Sequence, residues 1–410
     1  MTFQETLDYL FSTLPMYQRV GAVAYKKDLS NTLRLCELVG NPHQKFKSVH
    51  IAGTNGKGSS AHMLAAILQS AGYKTGLYTS PHLKRFTERI KINGEEMEED
   101  AVVDFVNNNK LHLEAIKPSF FETTVVMAFD YFAKKNVDIA VVEVGLGGRL
   151  DSTNIITPLV SLITNIGYDH QQILGESLDK IAVEKAGIIK NNVPVVISEK
   201  QQETEEVFIK IAENKEAPIL FASEVNNSNI NNFNLDLKGN YQKINTQGVI
   251  EVVKVLNSSG YLIEDNHIKD GLENTSKLTG IRGRWQILNT APKTICDTAH
   301  NEEGISAVIE QLLSLPHDKL HIVWGMVNDK DVEKILQLLP KQAKYYFCQP
   351  NVPRGMDVEA LQEMAVQVGL DGISIRDVNE AIIYANKKAS QNDLIFIGGS
   401  TFVVAEINDL

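Results

Sequence analysis

A glycine-rich turn between an apolar run and a helical pattern constrains the fold of this chain more than any other feature. The run Val49–Ala52 leads into Gly53–Ser59, and the apolar side chains of residues 61–68 then recur with helical spacing. Glycines let backbone N–H groups approach anionic oxygens, the start of a helix adds partial positive charge, and a lysine adds a full one. The order of strand, turn and helix therefore predicts a polyphosphate-binding loop and a nucleotide-binding protein.

The spacing within this turn differs from the general P-loop pattern. That pattern has four residues between its glycines and a serine or threonine directly after its lysine. Here only two residues separate Gly53 from Gly56. Gly58 also stands between Lys57 and Ser59. An ordinary βα turn with a solvated lysine is the alternative interpretation, but the order of strand, turn and helix favours phosphate binding.

Length and composition predict a two-domain globular protein. At 410 residues the chain is too long for one ordinary hydrophobic core, and we place the boundary between residues 1–284 and residues 285–410. Hydrophobic residues make up 43% and charged residues 22%, which is typical of soluble globular proteins. Cys36, Cys296 and Cys348 form no C-x-x-C pair, so neither a disulfide framework nor a cysteine zinc site is indicated.

Charge and hydropathy argue against several classes of partner. The formal net charge of -11 argues against nucleic-acid binding, which needs a basic surface, although one local positive pocket is enough for a nucleotide. The first residues lack the basic region and apolar core of a signal peptide. No apolar run approaches membrane-spanning length. We therefore expect a cytoplasmic enzyme with no nucleic-acid and no membrane partner.

Apolar strand-like runs alternate with helical patterns along both predicted domains. The predicted strands cover residues 48–52, 75–79, 138–144, 159–164 and 193–198, and then 294–297, 320–324, 345–348, 372–375 and 394–397. Such βα alternation builds mainly parallel sheets. The run 139–144 is apolar on both faces, as a buried parallel strand should be. The predicted fold class is therefore α/β, with a mainly parallel, helix-flanked sheet first and a smaller Rossmann-like domain second.

Three residues that follow predicted strands are candidates for a magnesium site. Glu143 ends the buried strand, and a carboxylate at the carboxyl edge of a parallel sheet, beside a phosphate loop, is where Mg²⁺ needs a ligand. A pair between Glu143 and Arg149 is an equally good interpretation. Ser80, within Thr79–Leu83, could add a hydroxyl or lie in an ordinary β-turn. His170 could be a ligand or a proton carrier, although a lone loop histidine is more often neither.

Three further residues carry groups suited to phosphate or ribose. Lys185 lies in a capped helical pattern, either on a solvated face or as a lysine that CO₂ carbamylates, which reverses its charge near metal ions. Arg284 stands in the presumed linker, where it could make bidentate contacts to a γ-phosphate or pair between domains. Asp297 follows a strand and could accept hydrogen bonds from a ribose or cap the following helix.

Taken together, these segments resemble the folylpolyglutamate synthase/dihydrofolate synthase family, a branch of the Mur ligase superfamily. They stand in the family's order over nearly the whole chain, and the ordered set is far more specific than any one segment. The segments are Gly53–Ser59, Thr79–Leu83 with Glu88–Ile90, Glu143–Asn154, Asp169-His170, Glu184–Gly187, Gly283-Arg284 and Asp297–Asn301. The resemblance implies that the first domain is like the central domain of Mur ligases.

The resemblance also implies a role for each segment. ATP phosphates would bind Thr54, Asn55, Gly56, Lys57, Gly58 and Ser59, and the rest of the nucleotide would lie near Asn245, Arg284, Asp297 and His300. Two Mg²⁺ sites would be built from Ser80, Glu143, His170 and a carbamylated Lys185. The pterin-bearing substrate would contact Ser119, Phe120, Phe121, Glu122, Leu150, Asp151 and Ser152. Catalysis would depend on Lys57, His170, Lys185 and Arg284.

The implied reaction is an ATP-dependent ligation. A carboxylate attacks the γ-phosphorus of ATP to give an acyl phosphate and ADP, and the amine of L-glutamate then displaces phosphate to form an amide. Lys57, Arg284, Mg²⁺ and the loop N–H groups would stabilise charge on the transferring phosphoryl group. The acceptor would be dihydropteroate, a (poly)glutamyl folate or both, and we expect a bifunctional monomer.

Two other functions stay open at this point. A Mur-type ligase acting on a UDP-linked cell-wall precursor would share the phosphate loop, the metals and the lysine. Gly58 and the segment Ser80–Leu83 are nevertheless typical of the folate branch. A non-catalytic ATP-binding module would keep nucleotide binding, but it would not need Glu143, His170 and Lys185 together.

Overall fold

The structure is a computed structural model that divides into two compact units. It describes residues 1–15, 28–226, 233–328 and 331–410. The first unit comprises Met1–Asp236 and Gln242–Gly280, and the second comprises Leu237–Tyr241 and Ile281–Leu410. Each unit is built on a sheet with helices, so the predicted α/β class is confirmed.

Strands and helices alternate through most of the first unit. Its described strands are β1 (Lys47–Ala52), β2 (Thr75–Tyr78), β3 (Ile90–Ile92), β4 (Glu95–Glu96), β5 (Ile139–Glu143), β6 (Val160–Ile163), β7 (Val195–Ile197) and β8 (Ile219–Phe221). Its described α-helices are α1 (Phe3–Thr13), α2 (Ser30–Leu38), α3 (Lys57–Ser70), α4 (Glu99–Ile116), α5 (Phe120–Lys135), α6 (Gln171–Leu174), α7 (Leu178–Ala186), α8 (Glu205–Asn214), α9 (Gln242–Ser258), α10 (Asp265–Glu273) and α11 (Thr275–Thr279). Short 3₁₀ turns cover Pro42–Gln44, Phe86–Arg89, Ser152–Ile155 and Ala222–Glu224.

The strand order of the first sheet places β1 at its centre. The order is β4-β3-β2-β5-β1-β6-β7-β8, and only the described pairs β2–β3 and β3–β4 are antiparallel. The chain passes from β1 through α3 to β2 on one side, and later from β5 to β6 on the other side. The direction of winding therefore changes at β1, and ligands of open α/β sheets bind beyond the carboxyl ends of the strands at such a point.

Both faces of this sheet are covered by apolar helices. On one face, Ala140 and Val142 of β5 pack in a cluster with Phe129 of α5. On the other face, Leu162 of β6 lies against α9, where a Cβ atom at Gly248 would be 3.1 Å from its Cδ1. Successive side chains of a strand point to opposite faces, and since both faces are covered, side chains pointing either way are buried. The continuous apolar run predicted for β5 follows from this double burial.

The second unit has a smaller sheet with the same design. Its described strands are β9 (Gln286–Thr290), β10 (Lys293–Cys296), β11 (Leu320–Trp324), β12 (Lys344–Phe347), β13 (Gly372–Ser374) and β14 (Leu394–Gly398). Its described helices are α12 (Glu302–Ser314), α13 (Val332–Gln337), α14 (Val358–Gln367), α15 (Val378–Lys388) and α16 (Thr401–Glu406). The order is β13-β12-β11-β14-β10-β9, parallel except for β9–β10. The predicted Rossmann-like domain is confirmed.

Short or polar elements escaped the sequence pattern. The predicted strands match β1, β2, β5, β6, β7 and β10–β14 to within two residues at each end. By contrast, β3 is three residues long and has Lys91 at its centre. Lys91 is buried because its Nζ donates to the carbonyl of Thr279 at 2.8 Å, 188 residues away. A local sequence pattern cannot predict β3, because the partner of its central lysine lies so far away in the sequence.

The cysteines contribute packing rather than chemistry. Cys36, Cys296 and Cys348 are buried free thiols. Burial raises the pKa of Cys36 to about 12 and also raises the pKa values of Cys296 and Cys348. Within the described ranges, no helix combines the length and the apolar character needed to cross a membrane.

Candidate active site

The turn after β1 has a shape that only glycine fits at two positions. Gly53 and Gly56 have positive φ angles of 145° and 85°, a conformation that other residues rarely adopt. A Cβ atom at Gly53 would lie 1.8 Å from Oγ1 of Thr164. One at Gly56 would lie 2.2 Å from Oδ1 of Asn245. Because α3 begins directly afterwards at Lys57, the positive end of the helix dipole faces this turn, as phosphate binding requires.

The end of β6 and the loop that follows it hold the phosphate turn in place. The N–H of Thr54 donates to the carbonyl of Asn165 at 2.8 Å, and the N–H of Asn55 donates to Asn165 Oδ1 at 2.8 Å. Oγ1 of Thr54 accepts the N–H of Gly167 at 2.9 Å. The hydroxyl of Thr164 donates to the carbonyl of Asn55 at 2.5 Å. These bonds fix two residues that the sequence predicts as phosphate contacts.

Asn245 and a neighbouring glutamine complete this support. Asn245 lies on α9, and its Nδ2 donates to Oε1 of Gln242 at 2.9 Å. Gln242 is fully buried, and its Nε2 donates to Oγ of Ser59 at 3.0 Å. The resemblance to a known family predicts Asn245 and Ser59 as nucleotide residues. It gives no signal for Gln242, whose partner is 183 residues away.

Two lysine side chains meet at the carbonyl of Gly53. Nζ of Lys57 donates to this oxygen at 3.0 Å and to the carbonyl of Thr54 at 3.0 Å. Lys185, in the last turn of α7, donates from Nζ to the same Gly53 oxygen at 2.8 Å. Lys185 is only 4% exposed, so the alternative of a solvated surface lysine is wrong.

Burial changes the acid–base behaviour of Lys185. Its pKa is lowered well below the ordinary lysine value, first because burial penalises the ammonium ion and then because Lys57 is close. The carboxylates of Asp169 and Asp151 oppose this shift. The shift favours the neutral amine, which is the nucleophilic form of lysine.

Glu143 ends β5 at the same sheet edge as the phosphate turn. It lies opposite Ile51 in the parallel register of β5 and β1, and it is 5% exposed. Its Oε2 accepts the N–H of Ser80 at 3.0 Å. The structure thus brings together two of the residues that the sequence predicts as metal ligands. Arg149 forms a salt bridge of 2.8 Å with Glu184.

His170 brings a carboxylate with it. Its Nε2 lies 3.7 Å from Oδ2 of Asp169, and its backbone N–H donates to Oδ1 of Asp169 at 2.9 Å. Since Asp169 also acts on the pKa of Lys185, the imidazole, this carboxylate and the buried lysine occupy one region. The roles predicted from the sequence left out Asp169. Its place beside His170 in the family segment was the available signal.

The residue types at this sheet edge fit a divalent cation. Mg²⁺ prefers oxygen ligands, and it commonly keeps water and substrate phosphate oxygens instead of an all-protein cage. The buried carboxylate of Glu143 supplies an anionic oxygen beside the phosphate turn, and Ser80 supplies a hydroxyl. In the part of the chain that the structure describes, no three His, Cys, Asp or Glu side chains form a ready metal site.

The first of the predicted substrate segments caps α5. Oγ of Ser119 accepts the N–H of Glu122 at 3.2 Å, and Oε2 of Glu122 accepts the N–H of Ser119 at 2.5 Å. This reciprocal pair is a capping box. It fixes the backbone that presents the two phenylalanines between them.

Phe120 and Phe121 lie in different surroundings. Phe120 is buried and stacks on Phe11 with ring centroids 5.2 Å apart, while the guanidinium of Arg89 lies 5.3 Å from its ring centroid. Phe121 instead lies against the turn after β5, because a Cβ atom at Gly145 would be 2.4 Å from its Cζ. Of the two, Phe121 therefore adjoins the glycine turn that follows Glu143.

Leu150, Asp151 and Ser152 form the second predicted substrate segment. Asp151 and Ser152 are buried, and Leu150 is partly exposed. Oδ2 of Asp151 accepts the N–H of Leu146 at 2.9 Å, and Oδ1 accepts the N–H of Thr153 at 3.0 Å. Burial raises the pKa of Asp151, and these hydrogen bonds oppose the rise. The carboxylate therefore organises its own loop.

Asp297 is the best-connected polar residue of the predicted nucleotide set in the second unit. Its Oδ2 accepts the hydroxyl of Tyr241 at 2.6 Å and the N–H of Trp285 at 2.7 Å. Its Oδ1 accepts the N–H of Ala299 at 2.8 Å. Burial raises the pKa of Asp297, while the Tyr241 bond and the charge of Arg284 oppose the rise.

Arg284 lies between two residues with left-handed backbone conformations. Gly283 before it has a φ of 68° and Trp285 after it has a φ of 48°, so both neighbours are left-handed. Nη1 of Arg284 lies 3.3 Å from the carbonyl of Gly283, to which it donates. Nδ1 of His300 lies 3.0 Å from the carbonyl of Thr298. These residues and Asp297 belong to the second unit, whereas Asn245 belongs to the first.

Comparison with known proteins places this geometry in a family. The family model for the Mur ligase middle domain matches residues 51–262, and the model described as "Mur ligase, glutamate ligase domain" matches residues 283–401. A Bacillus subtilis protein named dihydrofolate synthase/folylpolyglutamate synthase is 31% identical over 411 residues. That match covers 93% of this chain and 94% of the relative.

Solved structures agree with the sequence matches. FolC of Escherichia coli in complex with DHPP and ADP has a TM-score of 0.86 at 28% identity, covering 99% of this chain and 96% of that one. The bifunctional folylpolyglutamate synthase/dihydrofolate synthase of Yersinia pestis, complexed with AMPPNP and Mn ion, has a TM-score of 0.83 at 26% identity, covering 99% and 97%. This chain therefore belongs to the folylpolyglutamate synthase/dihydrofolate synthase family of the Mur ligase superfamily.

Proposed function

We propose that this protein is an ATP-dependent ligase that joins L-glutamate to dihydropteroate and to (poly)glutamyl folates, and that it acts as a bifunctional monomer. The relatives described above carry both activities in their names. The observation that carries the proposal is the first-unit sheet edge, where the phosphate turn, two lysines at the Gly53 carbonyl and the buried carboxylate of Glu143 occur together.

The first step activates the acceptor. A carboxylate oxygen of the acceptor attacks the γ-phosphorus of ATP, the bond from that phosphorus to the β–γ bridging oxygen breaks, and ADP leaves behind an acyl phosphate. Since both reactants are anions, positive charge must surround the transferring phosphoryl group. Lys57 and the N-terminus of α3 supply such charge from the phosphate turn. A divalent cation at Glu143 and Ser80 would neutralise further phosphate charge when bound.

The second step forms the amide. The amine of L-glutamate attacks the acyl carbon, the bond from that carbon to the phosphate oxygen breaks, and the amine loses a proton as inorganic phosphate leaves. The protein supplies no nucleophile in either step. Its side chains need only bind, orient and shield the reacting groups, because the acyl phosphate must be protected from water.

We further propose that Lys185 is carbamylated. Its Nζ would form a bond to the carbon of CO₂ and lose a proton, which yields an anionic carbamate. The support is its burial, the lowered pKa that favours the neutral amine, and its electrostatic interactions with Lys57 and Asp169. The change would replace the amine by an anionic group with oxygen atoms of the kind that Mg²⁺ prefers.

The nucleotide contacts remain those implied by the resemblance. We propose that Asn245 supports the phosphate turn, against which it packs at Gly56. We propose that Asp297 accepts hydrogen bonds from the ribose, with His300 nearby, and that Arg284 binds phosphate. The support for the role of Asp297 is the set of backbone N–H groups that fix its carboxylate. The support for the role of Arg284 is the left-handed backbone on either side of it.

Purified protein is expected to release ADP only when L-glutamate and a pteroate or folate acceptor are both present. Release is measured with dihydropteroate, tetrahydrofolate and a UDP-linked cell-wall peptide as separate acceptors. Turnover with the first two and none with the third is the expected result. Release with the UDP-linked acceptor alone would favour a cell-wall ligase, and no release with any acceptor would refute a ligase.

Replacing Arg284 with alanine is expected to lower kcat/KM for ATP roughly 10- to 100-fold, because a charge-assisted phosphate contact is lost. The thermal unfolding midpoint should fall by no more than a few degrees, since Arg284 is partly exposed and its described hydrogen bond is to the adjacent Gly283, although its charge also acts on the buried Asp297. Arg282→Ala is the matched control, because Arg282 is exposed and donates to the carbonyl of Leu410 at 3.0 Å. A lower midpoint in Arg284→Ala with unchanged ATP kinetics would assign Arg284 a structural role.

A further inference from the structure

A buried histidine lies behind the second substrate segment. His50 is on β1, three residues before the phosphate turn, and it is fully buried. Its Nε2 lies 2.9 Å from Oγ1 of Thr153. The same Thr153 hydroxyl is hydrogen-bonded to Oδ1 of Asp151. The three side chains therefore form one continuous chain of hydrogen bonds from the central strand to the loop after β5.

The Asp151 carboxylate, at one end of this chain, determines which atom donates in each of its hydrogen bonds. The Asp151 carboxylate receives hydrogen bonds from the backbone N–H groups of Leu146 and Thr153, so it acts as an acceptor. The Thr153 hydroxyl therefore donates to Asp151, and its oxygen accepts from the imidazole. His50 must then carry its proton on Nε2. Its Nδ1 is buried and has no hydrogen-bond partner among the described residues.

The imidazole is also held in its neutral form. Burial lowers the pKa of His50 to about 3, and the charge of Lys190 adds to this effect. Neutral imidazole has one N–H, and the bond to Thr153 determines which nitrogen carries it. His50 is thus a donor of fixed orientation at physiological pH.

The far end of the chain reaches groups that touch the substrate in the proposed function. The Asp151 carboxylate accepts the N–H of Leu146 and the N–H of Thr153, and so links the glycine turn to the 3₁₀ turn at Ser152–Ile155. Leu146 follows Gly145, against which Phe121 packs. A change in the orientation of the Asp151 carboxylate would therefore move the glycine turn and the aromatic ring beside it.

We propose that His50 and Thr153 are positioning residues for the acceptor: their directional hydrogen bonds hold Asp151, and through it the loop 145–152, in the conformation that binds the pterin-bearing substrate. This inference rests on the proposed function. It assigns neither residue to the chemistry, because neither reaches the phosphate turn through a described hydrogen bond.

The chain offers a matched control for this arrangement. His62 and Thr279 form another buried histidine–threonine pair, with Nδ1 of His62 2.8 Å from Oγ1 of Thr279. The hydroxyl of Thr279 donates to the backbone carbonyl of Thr275 and not to a carboxylate. Replacing either threonine by valine removes the same hydroxyl from a buried histidine, but only one of the two changes affects Asp151.

The experiment compares Thr153→Val, Thr153→Ser and Thr279→Val in the full chain. Each is assayed with the acceptor that the wild type uses, with KM measured separately for acceptor and ATP. Thr153→Val is expected to raise KM for the acceptor roughly tenfold and to leave KM for ATP within about twofold, because the hydroxyl's two buried hydrogen bonds, to His50 and to Asp151, are lost. Thr153→Ser should restore the acceptor KM, and Thr279→Val should leave both constants unchanged.

Two results would overturn the inference. One is an acceptor KM that Thr153→Val leaves unchanged, or that changes together with KM for ATP and the unfolding temperature, as in a merely structural defect. The other comes from ¹⁵N spectra of labelled imidazoles in the wild type, which should show His50 protonated on Nε2 and bare on Nδ1. The opposite tautomer would break the chain. Since the spectrum needs no turnover, a wild type without ligase activity would refute the proposed function alone.

Discussion

Replacing Lys185 with alanine is expected to lower turnover at least about 100-fold, the scale on which removing one charge-stabilising group acts in enzymes. The thermal unfolding midpoint should change by only a few degrees. The protein loses one hydrogen bond to the Gly53 carbonyl, but it also loses a buried amine whose ammonium form is strongly disfavoured. The measurements are steady-state ADP release and calorimetry on the same preparation.

Lys91→Ala is the control for the loss of a buried lysine. Lys91 is also 4% exposed, and its Nζ likewise donates to a backbone carbonyl, that of Thr279 at 2.8 Å. This change should lower stability and leave turnover within a fewfold. Acetate or propionate should partly restore Lys185→Ala, because a small carboxylate can occupy the space of the proposed carbamate. Unchanged turnover in Lys185→Ala would remove the carbamate from the mechanism.

The same proposal determines the sign of a pH effect. The amine of Lys185 is neutral above its pKa, and this pKa is lowered, so the reactive form persists further toward acid than in an ordinary lysine. As the pH falls through the lowered pKa, the amine is protonated and the carbamate is lost. Turnover should therefore fall on the acid side, and in CO₂-depleted buffer it should recover when bicarbonate is added.

Gly56→Ala should lower kcat/KM for ATP at least about 100-fold, since moving a binding loop by about 1 Å can cost that much activity. The new methyl group would lie 2.2 Å from Oδ1 of Asn245, in a residue whose φ is 85°. The turn would have to move away from α9 and from the hydrogen bonds that the loop after β6 provides. The measurement is the Kd for ADP by calorimetry, together with KM for ATP.

Gly72→Ala separates backbone strain from this collision. Gly72 lies just beyond the other end of α3 and has nearly the same φ, 87°, but nothing lies within 4 Å of the position of its Cβ. It should lose about 1–2 kcal/mol of stability from the left-handed conformation and keep its affinity for ADP. If Gly56→Ala showed only a similar loss of stability, the turn would have no special part in binding nucleotide.

Local patterns predicted the features that are encoded within a few residues. The turn at 53–59 combines strand, glycines, lysine and helix in one short segment, and the apolar run of β5 ends in the only charged residue of that strand, Glu143. Both therefore stood out in the sequence. Strands β1, β2, β5–β7 and β10–β14 were predicted from their apolar runs, which burial between helices leaves in a parallel sheet, whereas β3, β4, β8 and β9 were missed.

The supporting contacts could not be predicted because they join distant parts of the chain. Gln242 reaches Ser59 across 183 residues, and His50 reaches Thr153 across 103. A buried polar residue gives no sign in the sequence of which partner will satisfy it. The segment 119–122 shows the related limit, since its two phenylalanines are adjacent in sequence and yet one packs in an aromatic cluster and the other beside Gly145.

The burial of all three native thiols has a practical consequence for following this protein in solution. A maleimide dye reacts with an exposed thiolate, and Cys36, Cys296 and Cys348 offer neither exposure nor an accessible thiolate. One new cysteine on the surface of each unit would therefore take a donor and an acceptor fluorophore against a silent background. Energy transfer between them would report whether adding nucleotide changes the distance between labels, with the native sequence otherwise intact.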